Sequence, residues 1–219
     1  MIVHQIFGLL GDDVMPDLFK TCQAKVLKWC EINNYSYRLW DKKSCERLIK
    51  KYPEFLDLYY SVKFPIMKVD IIRFIILHYY GGLYLDLDVE PNIVVLKDYD
   101  FACAKCLKHK GLKKCDWIKN KSYEIEILQS CACNSILTDY LRYVKTQIKE
   151  KDEIDVYETW KVRYVLQTTG PMSFNRFMKD KKIETYTRRS GTSNDLNDNA
   201  NFISHPSESY VRNGKMITD

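Results

Sequence analysis

Apolar and polar residues repeat with two different periods along the chain. Residues 2–7 and the segment from Tyr35 to Trp40 alternate as β-strands do, whereas Pro16 to Asn33 carries apolar residues at the three- and four-residue spacing of a helix. Further helices are predicted over Ser44 to Tyr60 (in one or two pieces, broken at Pro53), Ile66 to Tyr80, Asn134 to Lys149, Asp155 to Gln167 and Pro171 to Met178. Further strands are predicted over Leu83 to Val89 and Ile183 to Thr187, with short strand-like pieces between Ile93 and Cys133. The short segment Phe202 to His205 is apolar enough to return to the core.

The order of these elements indicates the fold class. Strand and helix alternate in the first half of the chain and mix less regularly afterwards. This predicts an α/β fold with a mostly parallel central sheet, flanked by helices, and a small antiparallel part. A chain of 219 residues, of which 46% are hydrophobic, is long enough for one well-formed core, so we expect a single domain over residues 1–219.

Charge and composition argue against several classes of protein. The net charge is +5, and the basic residues are dispersed among acidic ones, so we expect no nucleic-acid partner. No basic and apolar leader is visible, and the longest apolar run, Ile71 to Tyr80, is too short to span a bilayer and contains Arg73. We therefore expect a soluble, cytoplasmic protein without a transmembrane segment, and the eight cysteines then indicate a reducing compartment.

The cysteines allow two interpretations. A zinc site could draw on the group Cys103, Cys106, Cys115, Cys131 and Cys133. Only one pair in that group has CxxC spacing, however, and structural zinc sites usually show two such pairs. Free thiols are the other interpretation. Cys22, Cys30 and Cys45 lie at helix-like positions and are expected to be small buried hydrophobic residues.

Four charged residues interrupt the most apolar part of the chain. The helix over Ile66 to Tyr80 is apolar on nearly every side and is followed by Gly81 and Gly82, and the strand after them is also largely apolar. The four charges in this stretch are Asp70, Arg73, Asp86 and Asp88. Because burying a charge is costly unless it is paired or coordinates a ligand, these four residues are the first candidates for a functional site.

The spacing of these charges suggests a metal site. In one continuous strand Asp86 and Asp88 would point the same way as Tyr84, with the two aspartate Cα atoms about 7 Å apart. Ligands that are all oxygen suit Mn²⁺ or Mg²⁺, which commonly share a site with substrate phosphates. Asp70 and Arg73, spaced i, i+3, share one helix face and form either an internal ion pair or a polar contact with a ligand.

A lone Asp-x-Asp sequence has little specificity, but its context here is distinctive. A dehalogenase-type nucleophile would need Thr or Val where Glu90 stands, and a calcium loop of the EF-hand type would need a central glycine. The order Asp70-x-x-Arg73, Leu77, Gly81-Gly82, Tyr84, Asp86-x-Asp88 resembles the DXD sugar transferases of glycosyltransferase family 32. These include initiating α-1,6-mannosyltransferases, α-1,4-galactosyltransferases and capsular-polysaccharide transferases, and the glucosylating domains of large clostridial toxins are more distantly similar. The segments Ile2 to Gly8, Tyr37 to Asp41 and Thr169-Gly170-Pro171 resemble the same family.

The resemblance implies a GT-A-like fold and a set of site residues. Residues 1–100 would form the half that binds a nucleotide-sugar, and residues 101–219 the acceptor half with a closing segment. The implied ligands are Mn²⁺ or Mg²⁺ and a UDP- or GDP-sugar. Asp88 would hold the metal and Asp86 would contact the metal or the ribose, with His205 as a third metal ligand. Asp70 and Arg73 would hold hydroxyls of the donor sugar. Further donor contacts are implied for His4, Gln5, Ile6, Phe7, Tyr84, Thr169, Gly170 and Lys215.

The sequence thus predicts a metal-dependent hexosyltransferase that acts on a hydroxyl of a glycan or glycoprotein, and the resemblance implies retention of the α-linkage. The missing anchor fits an enzyme of the bacterial cytoplasm or one encoded by a large virus. Glu124, Glu126 or Gln129 could occupy the place of an Asn that the family often carries before its second long helix, and the residues of the acceptor side are left unassigned. His205 is alternatively an ordinary histidine. Two other functions stay open: a non-catalytic nucleotide- or carbohydrate-binding module, and a metal-dependent phosphodiesterase that cleaves nucleotide-sugars.

Overall fold

A computed structural model describes residues 1–11, 13–106, 123–151, 158–190, 200–205, 211–212 and 215–216. Its helices are α1 (Asp17–Ile32), α2 (Lys42–Ile49), α3 (Pro53–Ser61), α4 (Pro65–Tyr80), α5 (Ser135–Lys151), α6 (Glu158–Thr168) and α7 (Pro171–Phe177). Its strands are β1 (Ile2–Ile6), β2 (Ser36–Trp40), β3 (Gly82–Leu85), β4 (Val89–Pro91), β5 (Phe101–Cys106), β6 (Tyr123–Ser130), β7 (Glu184–Ser190), β8 (Phe202–Ser204), β9 (Val211–Arg212) and β10 (Lys215–Met216). No helix in these ranges is both long and apolar enough to cross a membrane.

The strands β1 to β8 form one mixed sheet in the order β2-β1-β3-β6-β5-β7-β8-β4. Four of its seven neighbouring pairs are parallel: β2 with β1, β1 with β3, β5 with β7, and β7 with β8. The other three pairs, β3 with β6, β6 with β5, and β8 with β4, are antiparallel. The predicted α/β class and the mostly parallel sheet with an antiparallel part are confirmed.

Helix α4 lies at the centre of the larger of two hydrophobic cores. Eleven of its sixteen residues are buried, and Phe74 packs against Tyr140 of α5 and Phe174 of α7. The smaller core lies around α1, whose Val26 and Trp29 join Leu83, Leu85, Ile127 and other strand residues. Both faces of the sheet are therefore covered, which is the arrangement that favours parallel strand pairs.

Two glycines connect α4 to β3. The N–H of Gly81 donates to the carbonyl of Leu77 (2.8 Å) and closes the last turn of the helix, and the φ of Gly81 is +63°. Gly82 has a φ of +95°, and a Cβ at this position would stand 2.2 Å from the carbonyl oxygen of Ile2 in the neighbouring strand β1. Only glycine fits there, because a side chain would meet both backbone strain and the neighbouring strand.

The strand predicted over Leu83 to Val89 is wrong as one element. Strand β3 ends at Leu85, and Asp86 to Asp88 form a turn that is closed by the N–H of Val89 donating to the carbonyl of Asp86 (3.1 Å). The chain then continues as β4, which pairs with β8 at the far edge of the sheet. Asp86 and Asp88 therefore do not share one strand face, and the turn itself sets their positions.

Candidate active site

A cavity of about 410 Å³ opens where β1, β3 and β8 end and β6 begins, close to α4. It contains all four charges that stand out in the sequence. Its wall is formed by Ile6, Phe7, Gly8, Leu9, Leu10, Phe19, Ile66, Val69, Asp70, Arg73, Tyr84, Asp86, Leu87, Asp88, Glu124, Ile125, Glu126, Leu166, Pro171, Arg188, Ser204 and His205.

Arg73 connects the helix to the aspartate turn. Its guanidinium is almost fully buried and lies 3.0 Å from a carboxylate oxygen of Asp70 and 3.3 Å from one of Asp86. It also donates to the backbone carbonyls of Ile125 (2.9 Å) and Val69 (3.3 Å). One cation thus joins two carboxylates that are sixteen residues apart in the chain, and backbone oxygens accept from its remaining N–H groups.

Asp70 is held from both sides. Its second carboxylate oxygen accepts a hydrogen bond from the hydroxyl of Thr169 (2.8 Å), while Arg73 pairs with the first. Burial raises the pKa of Asp70 to about 6, although the Arg73 charge and the Thr169 hydrogen bond favour the carboxylate. The pair Asp70–Arg73 is therefore an internal ion pair that also forms part of the cavity wall, and its contact with a ligand stays a prediction.

Tyr84 positions Asp86. Its hydroxyl donates to a carboxylate oxygen of Asp86 (2.6 Å), and burial raises the pKa of Tyr84 well above its ordinary value. The phenol therefore remains protonated and acts as a hydrogen-bond donor. The Asp86 backbone is also fixed, since its N–H donates to the carbonyl of Glu126 (2.8 Å).

The aspartate turn offers ligands suited to a hard divalent cation. Asp86 and Asp88 are each half-buried, and both carboxylates line the same cavity. Carboxylate oxygens beside a space large enough for a phosphate group match the preferences of Mg²⁺ and Mn²⁺. The donor chemistry of this turn therefore fits the metal that the family resemblance implies.

Ile6 and Phe7 line the cavity, whereas His4 and Gln5 do not. His4 is fully buried and accepts from the Trp40 indole at Nδ1 (3.2 Å), so its Nε2–H donates to the carbonyl of Gly81 (3.0 Å). The Gln5 amide donates to the carbonyl of Asp86 (3.2 Å). The expected contact of these two side chains with a base is not provided by the structure. They hold the backbone of the motif instead.

The Thr169-Gly170 segment also supports the site, through the contact of Thr169 with Asp70. Thr169 is buried and bonds Asp70, and the carbonyl of Thr169 accepts from the hydroxyl of Tyr140 (2.7 Å). Gly170 precedes α7, and a Cβ there would stand 2.9 Å from the backbone of Leu166. Neither residue lines the cavity, although Leu166 and Pro171 do.

His205 lines the cavity, and its contacts are with the backbone of Asp88 and with Glu90. Its backbone N–H donates to the carbonyl of Asp88 (2.9 Å), while its ring Nε2 lies 3.4 Å from a carboxylate oxygen of Glu90. Among the described residues, the potential ligand atoms of Asp86, Asp88 and His205 are not gathered into one group. A third-ligand role of His205 at the aspartate turn stays a prediction. The side chain of Lys215 lies outside the described part of the structure.

The cysteine group proposed for zinc is only partly described. Cys103 is buried, and Cys131 and Cys133 are exposed. The side chain of Cys106 and all of Cys115 lie outside the described residues. A zinc site in this group stays a prediction.

The structure adds a charged cluster that the sequence did not reveal. Arg188 of β7 pairs with Glu126 (2.6 Å), and the hydroxyl of Ser204 donates to the other oxygen of the same carboxylate (3.0 Å). Burial raises the pKa of Glu126 to about 8, against the opposing charge of Arg188. Glu124 lies 3.8 Å from the same guanidinium. The parallel pairing of β5 with β7 brings Arg188 here, and no local pattern in the sequence indicates that pairing.

Comparison with known proteins agrees with this geometry. Residues 16–124 match the family model described as a glycosyltransferase sugar-binding region containing a DXD motif. A mannosyl phosphorylinositol ceramide synthase of Saccharomyces cerevisiae is 39% identical over 88 residues, which cover 40% of this chain and 22% of that protein. An uncharacterized glycosyltransferase of Acanthamoeba polyphaga mimivirus is 33% identical over 92 residues, which cover 40% of this chain and 35% of that protein. The chain thus matches well under half of the length of these relatives.

A solved structure supports the fold. The structure titled PaToxG Glycosyltransferase matches 81% of this chain and 68% of its own, with a TM-score of 0.52 and 16% sequence identity. That likeness concerns the fold, which is of the GT-A glycosyltransferase type. The family match, the aspartate turn and the fold agree with one another, and the chain belongs to the family of glycosyltransferases whose sugar-binding region contains the DXD motif.

Proposed function

We propose that this chain transfers a hexose from a nucleoside diphosphate sugar to an acceptor hydroxyl, with Mn²⁺ or Mg²⁺ held by Asp86 and Asp88. The observation that carries the proposal is the position of Arg73, which joins Asp70 to Asp86 inside one cavity. The cavity volume of about 410 Å³ lies within the range of small-molecule sites, which is roughly 300–1,000 Å³.

The wall residues divide between the parts of such a donor. Ile6 and Phe7 offer an apolar surface for a nucleobase. Asp70 and Arg73 offer a carboxylate and a guanidinium to the sugar hydroxyls, and their mutual ion pair fixes both groups before a ligand arrives. This preorganisation favours one orientation of the sugar and lowers the entropy that is lost on binding.

The proposed role of Asp86 and Asp88 in the reaction is electrostatic. A cation held by Asp86 and Asp88 would supply positive charge to the departing diphosphate. The carboxylates around the sugar stabilise an oxocarbenium-like centre, and they do so more strongly in a half-buried cavity than in water. Asp86 is kept in place by Tyr84 and Arg73, so its orientation does not need to change during the reaction.

The choice of sugar follows from the relatives. The relative of Saccharomyces cerevisiae is titled a mannosyl phosphorylinositol ceramide synthase, so we place GDP-mannose first among the donors and the UDP-sugars second. We also propose retention of the α-linkage and a glycan or glycoprotein acceptor, which the resemblance implies. A cytoplasmic location is proposed from the sequence.

The test is a donor panel with defined metals. Purified protein is incubated with UDP- and GDP-sugars in Mn²⁺, in Mg²⁺ or in EDTA, and release of nucleoside diphosphate is measured. We expect turnover with at least one donor, loss in EDTA, and loss in the double variant Asp86→Asn/Asp88→Asn. Asp57→Asn is the matched control, because Asp57 is an exposed aspartate on α3.

Three outcomes contradict the proposal in different ways. Normal turnover by the double variant refutes the assignment of the metal to Asp86 and Asp88. Binding of UDP or GDP by calorimetry without hydrolysis of any donor indicates a non-catalytic binding module. Release of sugar phosphate in place of free sugar indicates a phosphodiesterase.

A further inference from the structure

A second group of metal-binding side chains lies beside the aspartate turn. Cys22 on α1, Glu90 on β4 and His205 after β8 each offer one ligand atom, and these three atoms lie within 4.8 Å of one another. It is the one such group of three or more among the described residues. We propose that these three side chains bind a zinc-type divalent cation, at a site separate from the carboxylate pair Asp86 and Asp88.

The backbone brings the three residues together. Strand β4 pairs with β8 so that Val89 lies opposite Ser204, and Glu90 and His205 are each the next residue in the chain after this pair. Helix α1 packs against β4 and supplies Cys22. The hydrogen bond from the His205 N–H to the Asp88 carbonyl fixes the end of β8. The ligands therefore come from three separate segments held by regular secondary structure.

One ring nitrogen of His205 has no hydrogen-bond partner among the described residues. Its Nε2 is buried and makes no hydrogen bond to any described residue, although it lies 3.4 Å from Oε1 of Glu90. A buried nitrogen without a partner is unfavourable. Lys25 pairs with the other oxygen of Glu90, Oε2, so Oε1 is the one that faces the imidazole. A cation between Oε1 and Nε2 would satisfy both atoms.

The distances and the ligand types favour zinc. A tetrahedral ion with Zn–N and Zn–O bonds of about 2.0–2.1 Å holds those two ligand atoms about 3.3 Å apart, close to the 3.4 Å between Glu90 and His205. A thiolate with an imidazole selects zinc over Mn²⁺ and Mg²⁺, which prefer oxygen ligands. Binding releases the proton of the Cys22 thiol, because only the thiolate is a ligand. Three protein ligands leave a fourth position open, and His205 borders the cavity.

Cobalt(II) alone is the probe, since it occupies tetrahedral zinc sites and reports a thiolate ligand by absorption. Metal-free full-length chain is titrated with Co²⁺, and Zn²⁺ is then added in competition. We expect visible bands of tetrahedral cobalt and a near-ultraviolet thiolate-to-cobalt band, both removed by Zn²⁺. In Cys22→Ser and in His205→Gln we expect affinity at least about tenfold weaker, with loss of the thiolate band in Cys22→Ser.

The control is Cys30→Ser, which removes another buried thiol from the same helix and should leave the spectrum unchanged. Circular dichroism checks that each variant is folded, and Glu90→Gln provides a second test that leaves every thiol in place. The absence of a thiolate band in the wild-type chain, or the same band in Cys22→Ser, overturns the proposal. The double variant Asp86→Asn/Asp88→Asn should keep the band, so that failure of the proposed transferase function and failure of this site are told apart.

Discussion

Replacement of Arg73 by methionine tests whether its guanidinium is the electrostatic centre of the site. The side chain of Arg73 is 4% exposed, and those of its partners Asp70 and Asp86 are 5% and 31% exposed. Removing one partner of a buried ion pair leaves the other charge without compensation, which typically lowers the free energy of unfolding by about 3–5 kcal/mol. We expect Arg73→Met to fall in that range, and most of the loss arises at Asp70, because Asp86 is partly solvated.

A double-mutant cycle separates the pair from its surroundings. Asp70→Asn removes the charge and keeps the shape, the amide oxygen still accepts from Thr169, and Arg73 keeps Asp86 and the Ile125 carbonyl. We expect this variant to lose about 1–3 kcal/mol. In the double variant Arg73→Met/Asp70→Asn neither charge of the pair remains, so its loss should be smaller than the sum of the single losses by about 1–3 kcal/mol.

Urea unfolding followed by tryptophan fluorescence measures all three variants. The matched control is Arg142→Met, because Arg142 pairs with Glu54 at 2.7 Å but both side chains are about half exposed. A surface pair of that kind contributes about 1 kcal/mol or less. Additive single losses, or a loss for Arg73→Met no larger than that for Arg142→Met, would refute the reasoning.

Three further predictions concern the residues around the motif. Because burial lowers the pKa of His4 to about 4, the unfolded chain binds a proton on His4 below about pH 6.5 that the folded chain does not, so the contribution of His4 to the free energy of unfolding should fall by about 3 kcal/mol as the pH drops from 6.5 to 4. The raised pKa values of Asp70 and Glu126 act in the opposite direction in wild type and variant alike. In a pH series of urea unfolding the wild-type chain should therefore lose about 3 kcal/mol relative to His4→Gln over this range, and an unchanged difference would contradict the prediction. Gly82→Ala should lower the free energy of unfolding by at least about 3 kcal/mol, and Gly11→Ala by only about 1–2 kcal/mol, in the same assay. Both glycines have positive φ, but only at Gly82 would a Cβ meet a neighbouring strand, so equal losses would contradict this prediction. Tyr84→Phe should weaken Mn²⁺ affinity about tenfold or more, measured by metal titration of donor hydrolysis, because Asp86 loses a hydrogen bond, and an unchanged titration would count against that role.

The helices were predictable because their signals are local. The helix expected over Ile66 to Tyr80 is observed as Pro65–Tyr80, and the one expected over Pro16 to Asn33 as Asp17–Ile32. In α4, Pro65 at the first turn and Gly81 after the last turn mark the ends by steric rules that act within a few residues, and Pro16 and Asn33 flank α1. The class of fold followed from the order of such elements.

The aspartate turn was not predictable from its pattern. The sequence Leu83 to Val89 alternates as a strand does, and the alternation is the same whether the chain continues straight or turns at Asp86. The turn is set by hydrogen bonds from distant residues, namely the Gln5 amide to the Asp86 carbonyl and the Asp86 N–H to the Glu126 carbonyl. Arg188 was missed for the same reason, since its place beside Glu126 depends on the order of strands in the sheet.

Two of the segments that resemble the family make direct contact with the Asp-x-x-Arg, Gly-Gly, Asp-x-Asp run, and this gives the motif a physical meaning. In the first strand His4 donates to the carbonyl of Gly81, and Gln5 donates to the carbonyl of Asp86. In the Thr-Gly-Pro segment Thr169 donates to the carboxylate of Asp70. Each of these residues was expected to contact the donor, yet each holds a part of the Asp-x-x-Arg, Gly-Gly, Asp-x-Asp run.

The spacing within that run follows from the same geometry. Asp70 and Arg73 are one helical turn apart, so the guanidinium reaches the carboxylate on its own helix face. The helix then ends at Gly81, and Gly82 allows β3 to approach β1 closely enough to run parallel to it. Four residues of β3 carry the chain back along the helix, and the turn after Leu85 places Asp86 within reach of the same guanidinium. A longer β3, or a side chain at Gly82, would separate Arg73 from Asp86, so the motif describes the path of the backbone as much as a set of ligands.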